Sequence, residues 1–217
     1  METSDLGPRR AGLLEAWGEY AEATAESEFH SFGSDNRHKR VSQRLEAFLD
    51  SPTVDRFQDL WTAEVLRDAV VSGPSLVLNS WPGTVEDLAR QFNTMQAATA
   101  YDPAWEESFV ATGALWELYG HMDPTSRPIL NSAVLTGLDG FGFQKPHSYQ
   151  DRTGYDRFAT AYEAVVGHAT TGTDHEVPWH FEIEQCLSML GELDMETLTD
   201  ELSEGSSESH LAGCQAE

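Results

Sequence analysis

The densest run of potential metal ligands lies between His168 and Glu184, where imidazole and carboxylate side chains follow one another closely. Such side chains hold zinc and other transition metals when three or four of them converge. The candidate ligands are His168, His175, Glu176 and His180. Pro178 stands between His175 and His180, so the helical geometry of a zinc-protease motif cannot form. The run indicates either a metal site or a polar loop that leads into the next helix.

A second candidate is a basic patch, in which four of the 13 basic residues fall within eight positions. These four residues are Arg37, Lys39, Arg40 and Arg44. A local patch of this kind can contact DNA phosphates even on a negatively charged protein. Few aromatic residues are interleaved with it. The alternative is a solvated helix face that pairs with the acidic helix before it.

A glycine-rich turn, G-L-D-G-F-G-F, spans residues 137–143 and invites two phosphate-related interpretations. A nucleotide-binding loop is excluded, because neither Lys39 nor Lys145 follows a glycine as that motif requires. The hairpin of a DNA-binding helix-hairpin-helix element stays open, since its turn offers backbone N–H groups to phosphates. Pro146 stands where the second helix would begin. A simple helix-terminating turn is the competing interpretation.

The remaining catalytic motifs are missing from the sequence. There is no G-x-S-x-G elbow, and no lysine stands two positions after an acid as in metal-dependent nucleases. Cys186 lies beside Leu187 and Leu190 on an apolar helix face, which suits a small buried hydrophobe better than a nucleophile. The sequence therefore favours a protein that is not an enzyme and needs no cofactor.

Composition indicates the solvent in which the chain works. Its 217 residues include 37 acidic and 13 basic ones, for a net charge of −24, and only two of the basic residues are lysines. Acid excess with few lysines is similar to proteins of halophilic archaea, in which surface carboxylates keep the chain solvated in concentrated salt. An acidic mesophilic protein is the alternative. Two cysteines, no apolar leader and no membrane span predict a cytoplasmic protein.

Apolar spacing predicts a mainly α, irregular multi-helix fold, with at most a minor strand around 75–81. Predicted helices cover 9–30, 39–50, 62–71, 84–99, 102–120, 131–139, 151–166 and 179–193, and one more, opened by Pro52, carries Phe57, Leu60 and Trp61. Thr84 with Asp87 predicts a capping box. We expect three parts along the chain. They are an N-terminal amphipathic helix with a linker (1–36), a helical globular domain (37–195) and an acidic disordered tail (196–217).

Two stretches carry a resemblance to a known group of proteins. One begins at Leu45 and reads L-E-A-F-L-D-S-P-T-V-D-R-F-Q-D-L-W, and the other runs from Leu115 to Phe143. They resemble helical modules of halophilic archaea, some of which look like the segments that precede McrB-type AAA+ ATPases in modification-dependent restriction systems. The recurring pieces are Pro128 to Asn131, Gly137-Leu138 and Gly142-Phe143. The resemblance covers roughly half the chain and implies a role beside a DNA-targeting ATPase, as a recognition or adaptor module.

The leading hypothesis is therefore a non-enzymatic interaction module with a protein partner, which the resemblance suggests is a restriction-type ATPase. Two alternatives stay open. One is a DNA-binding module that uses Arg37 to Arg44, and the other is a metal-dependent enzyme that uses the cluster from His168 to Glu184.

Overall fold

The computed structural model describes residues 6–24, 37–143, 155–167 and 178–192, and every regular element in these ranges is helical. The α-helices are α1 (Leu6–Thr24), α2 (Arg37–Asp50), α3 (Val54–Leu60), α4 (Pro74–Ser80), α5 (Val85–Ala97), α6 (Thr112–Met122), α7 (Ser132–Gly140), α8 (Tyr155–Val166) and α9 (Trp179–Glu192). Two 3-10 turns, Arg67–Val70 and Pro103–Glu106, lie between them. The predicted mainly α class is confirmed. None of the described helices is both long and apolar enough to cross a membrane.

Two segments allow the predicted secondary structure to be compared with the observed one. The region around 75–81, for which a strand and a helical turn were both open, is helix α4, and Pro74 opens it because its fixed φ suits the first helical turn. The helix expected over 102–120 is interrupted. A 3-10 turn is followed by a loop, and α6 begins only at Thr112. Val110 and Gly113, which are weak helix formers, lie at this break.

Thr84 and Asp87 form the predicted capping box at the start of α5. The Thr84 hydroxyl accepts a hydrogen bond from the backbone N–H of Asp87 at 3.2 Å, and the Asp87 carboxylate accepts one from the backbone N–H of Thr84 at 2.8 Å. Two of the N–H groups that a helix start leaves unpaired are thereby satisfied. The cap fixes the entry of α5 into the core.

The core is built largely from aromatic side chains in two neighbouring groups. The first comprises Phe48, Phe57, Trp61, Phe92 and Phe109, and the second comprises Tyr101, Trp105, Trp116, Tyr119 and Tyr155. Most of these rings meet edge to face or tilted, with centroids 4.9 to 6.4 Å apart, which is the favoured arrangement of aromatic pairs. These aromatic residues form much of the core, and two of them, Phe109 and Trp116, also border a groove at the surface.

Helices α7 and α9 approach each other more closely than any side chain would allow. A Cβ atom on Gly137 of α7 would lie 2.1 Å from the carbonyl oxygen of Leu187 in α9. Contacts that short do not occur between real atoms, so only glycine permits this crossing. Gly137, one of the recurring pieces of the resemblance, therefore has a packing role.

The end of α7 is a Schellman turn. Gly142 has φ +72°, its N–H donates to the carbonyl oxygen of Asp139 at 2.8 Å, and the N–H of Phe143 donates to that of Leu138 at 3.0 Å. The side chains of Leu138 and Phe143 are both buried. Nη1 of Arg9 in α1 donates to the carbonyl oxygen of Gly142 at 2.6 Å. The predicted helix-terminating turn is present, and two amide groups that a DNA hairpin would offer to phosphates are already used.

Helix α1 contributes to the same core as the rest of the described chain. Leu13 and Trp17 are buried, and α1 contacts α8. The described part of this helix runs to Thr24, and the remainder of its predicted range, 25–30, lies outside the described residues. The rest of the predicted 1–36 segment and the predicted acidic tail, 196–217, lie outside the described residues.

Candidate functional site

The most polar place in the interior is a buried carboxylate cluster, which we define as Glu117, Asn131 and Glu184 with Arg37 and Arg67. Glu117 lies on α6 and Glu184 on α9, and both are fully buried together with Asn131. The side-chain nitrogen of Asn131 donates to Oε1 of Glu117 at 3.2 Å and to Oε1 of Glu184 at 2.9 Å. One amide group thus bridges two acidic side chains.

The orientation of this amide follows from its place in the sequence. Asn131 is the N-cap of α7, and its side-chain oxygen accepts a hydrogen bond from the backbone N–H of Val134 at 3.0 Å. Because the cap uses the oxygen, the two N–H groups must face the other way, toward the carboxylates. The same residue therefore starts a helix and joins α6 to α9.

Glu117 is also held by the 3-10 turn. Its Oε2 accepts a hydrogen bond from the backbone N–H of Asp68 at 2.9 Å, and Asp68 in turn accepts one from the backbone N–H of Ser132 at 3.1 Å. Burial raises the pKa of Glu117 from 4.5 to about 8, and the nearby carboxylates of Asp68 and Glu184 act in the same direction. Glu117 is therefore mostly protonated at neutral pH.

Glu184 carries the other half of the cluster's interactions. Its Oε1 accepts a hydrogen bond from the Ser188 hydroxyl at 3.1 Å and lies 3.3 Å from Nε of Arg67 and 3.8 Å from Nη1 of Arg37. Burial lowers the pKa of Arg37, and Glu184 opposes that effect. Two arginines from different elements therefore turn inward toward one carboxylate.

The cluster has the composition of an acid–base site, but its two glutamate side chains are enclosed. Glu117 and Glu184 are completely buried, and neither lines the grooves described below. A general acid must come within hydrogen-bonding reach of the atom that it protonates. The hydrogen bonds and ion pairs of the cluster join α2, α6, α7, α9 and the turn Arg67–Val70.

Of the predicted metal ligands, only His180 falls within the described ranges, while His168, His175 and Glu176 lie outside them. His180 is 2% exposed, its Nε2 lies 3.9 Å from a carboxylate oxygen of Glu163, and burial lowers its pKa to about 4. Within the described part of the chain, no three His, Cys, Asp or Glu side chains converge as a metal would require. The metal hypothesis stays a prediction that depends on the residues outside these ranges.

The four residues of the basic patch differ in their exposure and in their partners. Arg37 turns into the carboxylate cluster, and Arg44 lies 3.6 Å from the exposed carboxylate of Asp59 on α3. Lys39 is exposed, whereas Arg40 is partly buried. Arg37 is therefore engaged in the interior, and DNA binding by the patch stays a prediction.

Two neighbouring grooves lie on the outer side of the 3-10 turn. The first, which we call the valine groove, has a volume of about 1000 Å³ and includes Val70, Val71 and Val110, whose exposures are 72%, 83% and 49%. The second, the arginine groove, has a volume of about 390 Å³ and is lined in part by Arg37 and Arg67. Val70 and Ser132 line both grooves. Sequence reasoning assigned no role to these valines, because a Val-Val pair at the end of a predicted helix has no motif.

The cluster residues were missed for a different reason. Glu117 stands in an otherwise apolar stretch, L-W-E-L-Y, where a lone acid is a signal of a buried charge, whereas Glu184 in F-E-I-E-Q-C-L follows a second acid and gives no such signal. Their partners could not be identified from spacing.

No family model matches the chain, and no curated protein sequence or solved structure is significantly similar to it.

Proposed function

We propose that this protein is a non-enzymatic interaction module that binds a protein partner through the valine groove. The observation that carries the proposal is that three of the most exposed large apolar side chains, Val70, Val71 and Val110, line one groove. Exposed apolar patches rimmed by polar residues are typical of interaction sites. Such a patch is unusual on a chain with a net charge of −24, whose surface otherwise favours contact with water.

The buried carboxylate cluster supports the non-enzymatic part of the proposal. Its two acids are sealed from solvent and hydrogen-bonded to protein groups, so they hold helices together and reach no substrate. The groove is lined mainly by apolar and small residues, with acidic side chains at Asp68, Glu106 and Glu107. This lining suits contact with another protein surface.

The proposed cellular environment and the proposed partner are inferred from the sequence. The acidic, lysine-poor composition favours the cytoplasm of a halophilic archaeon, and the resemblance stated above makes a restriction-type AAA+ ATPase the first partner to test. A partner that binds here covers the exposed valines, and that burial supplies favourable free energy of about 25 cal/mol per Å² of apolar surface.

The test measures binding of the full chain to an AAA+ ATPase encoded beside its gene, by isothermal titration calorimetry in molar KCl. We expect Val71→Asp to weaken binding by tenfold or more, because it places a charge in the contact. Val54→Asp is the matched control, since Val54 is 47% exposed on α3 outside the groove, and its binding should equal that of the wild type. Equal binding by the wild type and Val71→Asp would exclude the valine groove as the docking site.

A further inference from the structure

A further groove, which we call the acidic groove, is bordered by α2, α5 and the end of α6. It shares no lining residue with the valine groove or the arginine groove. Its volume is about 400 Å³, which suits a small ligand or one long side chain. Most of its polar lining comes from Glu46, Asp50, Asn93, Gln96 and His121. None of the described residues that line it is a lysine or an arginine.

The two carboxylates of this groove stand where their own helix disfavours them. Glu46 and Asp50 are four positions apart on α2, so they share one face, and both are exposed. Like charges at this spacing repel each other. Asp50 is also the last residue of α2, whose C-terminal end carries partial negative charge, and the last turn holds no basic residue to balance it. A positive charge held between the two carboxylates relieves both unfavourable interactions.

A second helix end adds to the negative potential. Met122, which also lines the groove, is the last residue of α6, so the C-termini of two helices border the same space. The end of α5 does not add to this effect, because Arg127 already donates to the carbonyl oxygens of Gln96 and Ala98. The groove therefore attracts cations more strongly than its two carboxylates alone would.

His121 provides independent evidence of a ligand. Its side chain is 2% exposed, and neither Nδ1 nor Nε2 makes a hydrogen bond to the described residues. Buried polar groups nearly always have a partner, so two unpaired nitrogens on one ring need an explanation. Burial lowers the pKa of His121 well below its usual value, and the nearby His38, Arg37 and Arg67 act in the same direction. The imidazole is therefore neutral at pH 7, and one of its nitrogens can accept a hydrogen bond.

The lining favours a cation that is rich in N–H donors. Its carboxylates only accept hydrogen bonds, its two side-chain amides each offer an oxygen, and His121 offers a nitrogen. A guanidinium group has five N–H donors in a rigid plane, pairs with a carboxylate through two parallel hydrogen bonds, and is more weakly hydrated than an ammonium group. Leu49 and Met122 provide an apolar wall for the aliphatic stem of such a group. A bare metal ion fits less well, because no three of its usual ligands converge in the described part of the chain.

We propose that the acidic groove binds a guanidinium group on an aliphatic stem, supplied by an arginine side chain of a protein or by a free arginine-like molecule. The guanidinium lies between Glu46 and Asp50 and donates to the neutral ring of His121. This site goes beyond the valine groove and does not depend on it.

The experiment titrates the 15N-labelled full chain with three probes in about 0.5 M KCl, where surface charges are only partly screened, and follows the titration by two-dimensional NMR. N-acetylarginine amide stands for an arginine within a protein, free arginine for a small molecule of the same net charge, and N-acetylcitrulline amide for the neutral isostere. We expect saturable shifts of the side-chain amide signals of Asn93 and Gln96 with an arginine probe, and none with the citrulline probe. Tighter binding of N-acetylarginine amide assigns the site to a protein arginine, and tighter binding of free arginine assigns it to a small molecule.

Isosteric substitutions test the two carboxylates without changing the shape of the groove. Glu46→Gln and Asp50→Asn should each weaken binding of N-acetylarginine amide about fivefold, as expected for the loss of one ion pair. Glu64→Gln is the matched control, because Glu64 is exposed and lies outside the groove, and it should bind as the wild type does. His121→Phe keeps a ring to stack on His38 but removes both nitrogens, and it should also weaken binding.

Three results would overturn the proposal. They are the absence of saturable shifts with both arginine probes, equal affinity for the citrulline probe, and equal binding by the wild type and both carboxylate variants. The carboxylate variants are at exposed positions, so they decide the matter even if His121→Phe does not fold. Each of these results leaves the valine groove intact as a docking site, because the two grooves share no lining residue.

Discussion

Substituting Asn131 by aspartate tests whether the bridging amide matters more than the helix cap. Asn and Asp are equally good N-cap residues, because either offers an oxygen to the backbone N–H of Val134. Aspartate, however, puts a carboxyl group where the amide nitrogen now donates to Glu117 and Glu184 at 3.2 and 2.9 Å. We therefore expect a large loss of stability at a position where the capping preference alone predicts none.

The size of the loss follows from the two states open to the new carboxyl group. If it is ionised, its repulsion from the Glu184 carboxylate reaches about 4 kcal/mol at an effective dielectric constant of about 20. If it takes up a proton instead, the cost at pH 7 is also about 4 kcal/mol, given an ordinary aspartate pKa of about 3.9. Loss of an amide hydrogen bond to a charged group adds about 1.5 to 3 kcal/mol. The expected total is roughly 6 kcal/mol at pH 7.

The assay is urea unfolding followed by circular dichroism at pH 7 and pH 4.5, in the same KCl concentration. Most of the cost of protonation is gone at pH 4.5, so the gap between Asn131→Asp and the wild type should shrink by about 3 kcal/mol at the lower pH. Asn131→Ser keeps a capping oxygen without adding a charge and should be intermediate. Thr53→Asp is the control at an exposed N-cap, where Thr53 accepts from the backbone N–H of Arg56, and it should change stability by less than about 0.5 kcal/mol.

A variant Asn131→Asp that matches the wild type at pH 7 would refute this account of the cluster. An equal loss at both pH values would also refute it, because the loss would then come from packing rather than from charge.

Further predictions concern packing, pH and salt. Gly137→Ala should lower the free energy of unfolding by about 3 kcal/mol in urea, because the new Cβ would clash with the carbonyl oxygen of Leu187. Gly18→Ala in α1 is the control: it has open space around it and should raise the free energy of unfolding by up to about 1 kcal/mol. The folded-state pKa of Glu117 is raised to about 8, so its contribution to the free energy of unfolding is complete below pH 4.5 and is lost as pH rises through about 8. The total change is about 5 kcal/mol. Glu117→Gln should remove this pH dependence from the unfolding free energy. The pH dependence due to His180 has the opposite sign, because burial lowers its folded-state pKa to about 4. Its contribution to the free energy of unfolding is present above pH 6.5 and should fall by up to about 3 kcal/mol on acidification. His180→Gln should reduce that fall. The melting temperature should rise with KCl concentration, because salt screens the repulsion of a chain with net charge −24; a flat dependence would contradict the halophilic origin.

Local features of the fold were accessible from the sequence because their causes are local. Thr84 and Asp87 lie three positions apart and form the capping box that this spacing predicts. Apolar periodicity identified α2, α5 and α9 within a few residues of their observed ends. The interruption before α6 was not predicted, because the burial of Trp105 and Phe109 depends on how the chain packs and not on helical spacing.

The candidate sites depend on contacts between distant parts of the chain. Asn131 and Glu184 are 53 positions apart, and Asp68 and Glu117 are 49 apart, so no spacing rule connects them. The valine groove could not be predicted for the same reason, since Val70 and Val110 are far apart in the sequence and line one groove only in the folded chain. The basic patch was a local pattern, yet the inward turn of Arg37 toward Glu184 divides it.

The crossing at Gly137 has a mechanical consequence for the arginine groove. Ser132 and Thr136 of α7 and Ser188 of α9 form one side of that groove, and two helices in backbone contact cannot slide past each other without a collision. This side therefore moves as a single rigid wall. Any change in the width of the groove must come from the opposite side, which includes the turn Arg67–Val70. Two hydrogen bonds hold that turn in place: the backbone N–H of Asp68 donates to Glu117, and the Asp68 carboxylate accepts from the backbone N–H of Ser132.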